Sequence, residues 1–591
     1  MSNKYLYIVL FCLLLSTGCA NRGVGPQGGP KDTIPPIPVV SEPEVGAVNF
    51  SGRRIEVTFN EYIQLDNVAS NLLMSPPQAT PPEVKARGKK LIVQFKDSLH
   101  DSTTYTIDFG NAVCDYREKV PLKGYSFYFS TGDEIDTLET VGRVYEASSL
   151  NPMEGILVGI HRNLADSAVV RIPFLRIAKT NSDGYFRIGN IHPGMYRMYA
   201  VDDISRDYRL TLGETMGFAD SLLLVSAADS IPKSSSLLLF KEVQDRLYLQ
   251  RVLRDKQHMV QLLFSAPQDS VPSFRALRPS EMDSTKSDSA WIDPMQYTYI
   301  HYSVHRDTVT LWLTDSIAIR MDSLFLEARY RRTDSLYRLE WCTDTIRAMW
   351  RAPRLSAKAL EAQEREIRNR RLELKSNARK GFDIYDTLWL ACATPMARID
   401  TAALHVYERE DTMLKAMPFS LLPGDSITQK IVFLAEWEPG HDYELHIDSA
   451  ALHDIYGTTH IAGNYSFQLK TLSDYSTLRM KLVPFVPNAR IQLLNSKDQV
   501  LRELPATEEG ANFEYLKPDS YYVRLYLDRN GDGKWTSGAW KEKRQPEPIY
   551  YYPEKIQTKS NWDFEQEWDY KAVEQLKSKP KELIKPVTKK K

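Results

Sequence analysis

The stretch "RRIEVTF" (53–59) places Ile55, Val57 and Phe59 at every second position. Successive side chains of a strand point to opposite faces, so this spacing builds a half-buried strand rather than an amphipathic helix. Leu91, Val93 and Phe95 repeat the pattern, as do Tyr105, Ile107 and Phe109, then Tyr125, Phe127 and Phe129. Asp-Ser, Gly and Pro turns separate these short runs, which predicts an all-β sandwich. At 591 residues the chain exceeds one core. Several domains of about 100 to 150 residues are expected.

The pattern also repeats over long distances. "TYTIDFGNAVCDYREKVPLKGYSFYFST" (104–131) is similar to "DYELHIDSAALHDIYGTTHIAGNYSFQLKT" (442–471), with Tyr125–Phe127 returning as Tyr465–Phe467. A fainter copy starts at "HMVQLLFSAP" (258–267), comparable to "DTLWLACATP" (386–395), and continues through "DSLFLEARYRRTDSLYR" (322–338). These units resemble the bacterial Ig-like domains of surface-layer and lipoprotein arrays. A second repeat interleaves with the first: "HPGMYRMYAVDDISRDYRLTLG" (192–213) aligns without gaps to "KPDSYYVRLYLDRNGDGKWTSG" (517–538). Pro193, Tyr196, Asp203, Asp207 and Gly213 match Pro518, Tyr521, Asp528, Asp532 and Gly538. With "TNSDGYFRIGN" just upstream, this unit resembles the carboxypeptidase-regulatory-like, or prealbumin-like, β-sandwich.

The expected architecture is a tandem array of Ig-like and prealbumin-like β-sandwiches with one short connecting helix. Ig-like domains are expected at 39–133 and 382–472, and a divergent Ig-like domain at 240–352. A carboxypeptidase-regulatory-like sandwich is expected at 138–222, and a prealbumin-like one at 476–550. The segment 356–380 lacks Gly and Pro and is rich in helix formers, with eight basic residues against four acidic. It reads as a basic helical linker, either solvated or facing an acidic partner or lipid headgroups. Residues 551–591 read as a C-terminal tail. Repeated modules of this kind signify a scaffold or binding array more often than one enzyme pocket.

The first 18 residues carry Lys4 and then an apolar run from Tyr5 to Leu15, too short to span a bilayer and suited to a cleaved export signal. "STGC" at 16–19 resembles the lipobox of bacterial lipoproteins, which implies acylation of Cys19; Ser16 stands where that motif usually has Leu. Acyl chains contribute about 0.8 kcal/mol per buried CH₂, enough in combination to hold a protein at a membrane. Residues 19–38 then form a Gly/Pro-rich tether, about 60 Å long if extended. The whole pattern, including "GGPKDTIPP" and "DRNGDGKW" followed by "RQPEP", resembles Ig-like-domain lipoproteins common in Bacteroidota. That family implies no enzymatic activity.

The net charge of −1 argues against nucleic acid as a partner. No HExxH, GxSxG, P-loop or dinucleotide motif is present. "DRNGDG" (528–533) places Asp528, Asn530 and Asp532 at alternate positions with the Lys534 carbonyl beyond, the opening of a calcium loop. Ala539 stands where an EF-hand needs its bidentate Glu, and an Asx-turn loop held by its own backbone is the competing reading. No other cofactor is implied. His301 and His305 lie on an alternating stretch and read as exposed strand histidines rather than a metal pair. Cys392 follows Leu388 and Leu390 on one strand face and reads as a buried thiol. Trp535, Trp540, Tyr550, Tyr551 and Tyr552 cluster near the C-terminus. They form either a recognition surface or the packing of the tail on the last sandwich.

The function expected from these features is that of a non-catalytic outer-membrane lipoprotein. Its β-modules serve as a scaffold or binding protein for envelope components, and a glycan-binding accessory protein at the cell surface is the alternative. "ANRGVGPQGGP" after Cys19 has no acidic residue and contains Arg22, which favours the periplasmic side.

Overall fold

The computed structural model describes residues 32–585, except 212, 229–230, 243–245, 283–284, 286–292, 335–337, 352–370 and 423–426. The expected export signal, Cys19 and most of the expected tether lie outside the described residues. Among the described residues strands dominate, and the α-helices are single turns such as Ala168–Arg171 and Ser316–Arg320. The all-β class read from period-two spacing is what the chain adopts. Two compact units part between Lys241 and Glu242.

The first unit holds two cores. One gathers Ile55, Val57, Phe59, Leu91, Val93, Tyr105, Ile107, Phe127 and Phe129, the residues singled out by alternation. Its four-stranded sheet runs Pro38–Glu42, Arg54–Phe59, Lys90–Gln94, Glu83–Arg87. Across the core lie Leu73–Ser75, Thr104–Asp108 and Ser126–Ser130. A short ribbon pairs Ile63–Leu65 with Val113–Asp115. The second core runs from Val144 to Leu239. Lys233–Leu239 pairs in parallel with Leu138–Glu146, so this sandwich extends beyond the boundary expected at 222.

The joint between these two sandwiches is built on Arg176, whose side chain is buried. Its guanidinium donates to the carbonyls of Thr104 and Ser75 (3.3 Å) and pairs with Asp136 at 3.4 Å. The Ile177 amide donates to Ser75 Oγ at 3.1 Å, and Thr106 Oγ1 donates to Asn190 at 2.9 Å. A buried guanidinium is tolerated only with partners of this number and geometry.

The second unit holds three cores, one from Val260 to Ala348, one from Leu372 to Leu469 and one from Leu478 to Tyr570. Leu374–Ser376 pairs antiparallel with Leu390–Cys392, and Leu372 is buried in the middle core. The expected linker helix therefore does not reach 371–380, where sheet pairing and burial override helix propensity; its earlier part lies outside the described residues. The last sandwich continues past 550. Ile549–Tyr551 joins one sheet, and Asp563–Trp568 pairs in parallel with Ser476–Leu482 in the other. Most of the expected tail is thus part of the fold. Between the last two cores Asp383 is buried and accepts from Lys470 Nζ (2.9 Å) and Tyr475 Oη (3.0 Å), with Lys517 Nζ at 2.6 Å.

The second and fifth sandwiches share one topology. Their smaller sheets order Tyr185–Ile191, Leu138–Glu146, Lys233–Leu239 and Ala511–Leu516, Ser476–Leu482, Asp563–Trp568. In each, the central strand pairs antiparallel on one side and parallel on the other. Tyr196 Oη donates to the carbonyl of His192 at 2.6 Å, and Tyr521 Oη to that of Lys517 at 2.8 Å. The matched tyrosines thus close the same turn in both copies.

Candidate functional site

The loop at 528–534 is closed by its own backbone. Asp528 is buried, and its two oxygens accept from the amides of Gly531 (2.7 Å) and Gly533 (2.8 Å). Asn530 donates to Asp532 and Thr536, and Asp532 accepts from the Lys534 amide at 2.7 Å. Glu547 completes the set, accepting from the amides of Arg529 (2.7 Å) and Thr536 (2.8 Å). Asp203 and Glu214 do the same in the second sandwich, with the amides of Asp207, Tyr208, Ser205 and Thr211. The carboxylate oxygens are committed to amides, which fits an Asx-turn loop better than a calcium cage. Sequence reading missed Glu547, which stands 19 residues after Asp528.

The aromatic residues at 535–552 do not form an open surface. Trp540, Tyr551 and Tyr552 are buried. Trp535 is half-buried and donates its Nε1 proton to the Glu547 carbonyl at 2.9 Å, and Tyr550 packs on Tyr570 with ring centres 4.9 Å apart. Three of the five residues expected to form a recognition surface there are instead buried in the last sandwich, and the other two are half-buried. Cys114, Cys342 and Cys392 are free and buried. Burial, with Asp454 nearby, pushes the Cys392 thiol up to about 12, which suppresses thiolate chemistry. His301 and His305 are exposed, the former on Thr298–Tyr302.

An open groove lies in the first sandwich, between the ribbon and the edge strand Glu83–Arg87. It has a volume of 1210 Å³ and is lined by residues 60–65, the 86–89 turn and residues 115–118, with Asp32 at one end. Asp115 shapes its wall by accepting from the amides of Arg117, Glu118 and Val120, bonds that hold its carboxyl below the usual range. The Tyr116 amide donates to the Tyr62 carbonyl at 3.0 Å, which extends the ribbon by one pair. Tyr62 and Tyr116 are cross-strand neighbours, 63% and 66% exposed.

The fourth sandwich repeats this ribbon. Its ribbon pairs Met396 with Asp454 as the first pairs Ile63 with Asp115. The Ile455 amide donates to the Pro395 carbonyl at 3.0 Å, in the place of Tyr116 and Tyr62. Asp454 again accepts from the turn that follows, from the amides of Tyr456 and Thr458. A separate groove in the same sandwich, with a volume of 740 Å³, runs between residues 396–401 and 417–421 and is lined mainly by apolar residues, among them Ile399, Met417, Phe419 and Leu421.

Residues 32–131 match the bacterial Ig-like domain. The groove with the exposed tyrosine pair therefore belongs to an Ig-like module, and the fourth sandwich repeats that module's ribbon and turn. No curated protein matches the chain. Among solved structures, the Bacillus anthracis TIE protein aligns at 10% identity and TM-score 0.12, covering 96% of this chain and 79% of that one. The major pilin subunit of Bacillus cereus aligns at 8% identity and TM-score 0.12, covering 73% of this chain and 99% of the pilin. Domains 1–6 of the surface layer protein SbsC align at 11% identity and TM-score 0.13, covering 82% and 61%.

Proposed function

We propose that the chain is a non-catalytic scaffold or binding lipoprotein of a bacterial cell envelope. In this reading Cys19 carries the acyl anchor, and the Gly/Pro tether holds the first Ig-like module off the membrane. The pinned joints support the scaffold role most directly. Arg176 and Asp383 are buried charges shared across consecutive sandwiches, so the first two sandwiches, and likewise the last two, present their surfaces at fixed spacing. Neighbouring domains move by default unless their interface is extensive, and buried ion pairs at a joint are costly to break. The glycan-binding alternative rested on the C-terminal aromatics, which are mostly packed inside the last sandwich.

The location proposed is the outer membrane, facing the periplasm. Cys19→Ala is expected to leave the protein exported, unacylated and absent from the membrane fraction; persistence with membranes overturns the anchor. Removal of the protein by protease shaving of intact cells overturns the orientation. Crosslinking in cells followed by purification in detergent should recover envelope proteins, and recovery of the chain alone overturns the scaffold role.

A further inference from the structure

The two equivalent ribbons isolate what the fold needs from what it does not. Both keep the strand pairing, the amide-to-carbonyl closure and the aspartate that caps the following turn. Only the first places tyrosines at the closing pair, where the fourth has Pro395 and Ile455. The ladder is therefore built without aromatic rings at these positions, and the ribbon does not require the two exposed tyrosines that the first sandwich places there.

The charge around the rings identifies what suits them. Glu61 and Glu118 border the groove with Asp32 and Asp115, against Lys89 and Arg117. Lys89 is already engaged, its Nζ donating to the Asn60 carbonyl at 2.7 Å and lying 5.9 Å from the centre of the Tyr62 ring, so this ring already takes a cation on one face. Burial, helped by the neighbouring charges of Asp32, Asp115 and Glu118, raises the Glu61 carboxyl above its usual range. A cation entering the groove would relieve that repulsion, whereas a neutral sugar would not. Aromatic faces beside carboxylates are the chemistry that binds ammonium and guanidinium groups.

We propose that the groove of the first Ig-like module binds a Lys/Arg-bearing segment of a partner protein, with its cationic side chains over Tyr62 and Tyr116 and paired to Glu61 and Glu118. This names a partner chemistry within the scaffold reading and rests on it only for biological setting. The groove stands or falls on binding, independently of the Cys19 anchor.

The test uses the full chain in detergent and a fluorescein-labelled hexa-arginine peptide, followed by anisotropy at two salt concentrations. Saturable binding is expected, weaker at high salt. Tyr62→Ser with Tyr116→Ser, or Glu61→Gln with Glu118→Gln, should each weaken it about tenfold. Arg398→Ala, in the other groove, should leave it unchanged. Thermal melts of the variants should match the parent, because the altered side chains are exposed or half-buried. No binding, equal binding by the tyrosine variant, or saturable binding of maltohexaose or cellohexaose in place of the peptide each overturns the proposal. Crosslinked partners recovered in any of those cases would leave the scaffold reading in place.

Discussion

Lys579 Nζ lies 2.8 Å from Asp498 Oδ2, and both side chains are 2% exposed. This ion pair pins the C-terminal segment across the outer face of the last sandwich's larger sheet. Tyr551 Oη donates to Asp498 Oδ1 at 3.0 Å, and Ser578 Oγ accepts from the Tyr551 amide at 3.1 Å. Burial outweighs the Asp498 charge and lowers the Lys579 ammonium below its ordinary range.

Removing one partner of such a pair strands the other in a dry site. Asp498→Ala is expected to destabilise the last sandwich by about 3–5 kcal/mol, read from a shift in its urea midpoint. Asp498→Leu combined with Lys579→Met should recover much of that loss, since apolar replacements of a buried pair are often neutral. A double variant as unstable as the single one argues that the surrounding Tyr551 and Arg524 bonds dominate.

That segment also marks where sequence reading stopped. Period-two spacing identifies the inward residues of the first module because its strands have one wet face, and Ile55 to Phe129 all lie where alternation puts them. Alternation in "YYVRLYL" makes Tyr522, Arg524 and Tyr526 look solvent-facing. A Lys- and Pro-rich stretch with no period of its own covers that side. The groove was equally hidden, since Tyr62 and Tyr116 become neighbours only through ribbon pairing. The gapless repeat, by contrast, carried over directly: Tyr196 and Tyr521 make the same bond because they close the same turn.

His161 gives the first unit an acid sensitivity. It is 3% exposed among Phe174 and Tyr199, with ring centres 5.0 and 6.2 Å away, and its Nε2 has no partner among the described residues. Burial lowers its pKa from 6.5 to about 4. Between these values the unfolded chain binds a proton that the folded chain refuses. Stability therefore falls as the pH drops through this window and levels off below it. His161→Phe should flatten that part of the profile relative to the parent, measured by urea melts at each pH. Parallel profiles for the two proteins would remove His161 as the cause.

The Arg176 joint makes a prediction about cooperativity. Arg176→Leu leaves the carbonyls of Ser75 and Thr104 and the Asp136 carboxylate without their shared donor. The expected cost is about 3 kcal/mol, most of it in coupling between the two sandwiches rather than in either core. In calorimetry, melting of residues 32–241 should separate into two transitions, and hydrogen exchange should quicken at Thr104–Asp108 before it does at Arg54–Phe59. A single transition shifted to lower temperature would place the loss inside a core.

The 528–534 loop sets the reading of its acids as structure against the reading of them as ligands. Asp528 and Glu547 together take four backbone amides that otherwise have no strand partner. A hydrogen bond to a charged group contributes about 1.5–3 kcal/mol, so Asp528→Ala should destabilise the last sandwich by about that much. The same loss should follow with calcium or with chelator present, because the amides are the residue's partners. Titration with millimolar calcium should release no heat and leave the melting temperature unchanged. A calcium-dependent rise in melting temperature that Asp532→Asn abolishes would instead show that the loop's oxygens can turn from their own backbone to a metal.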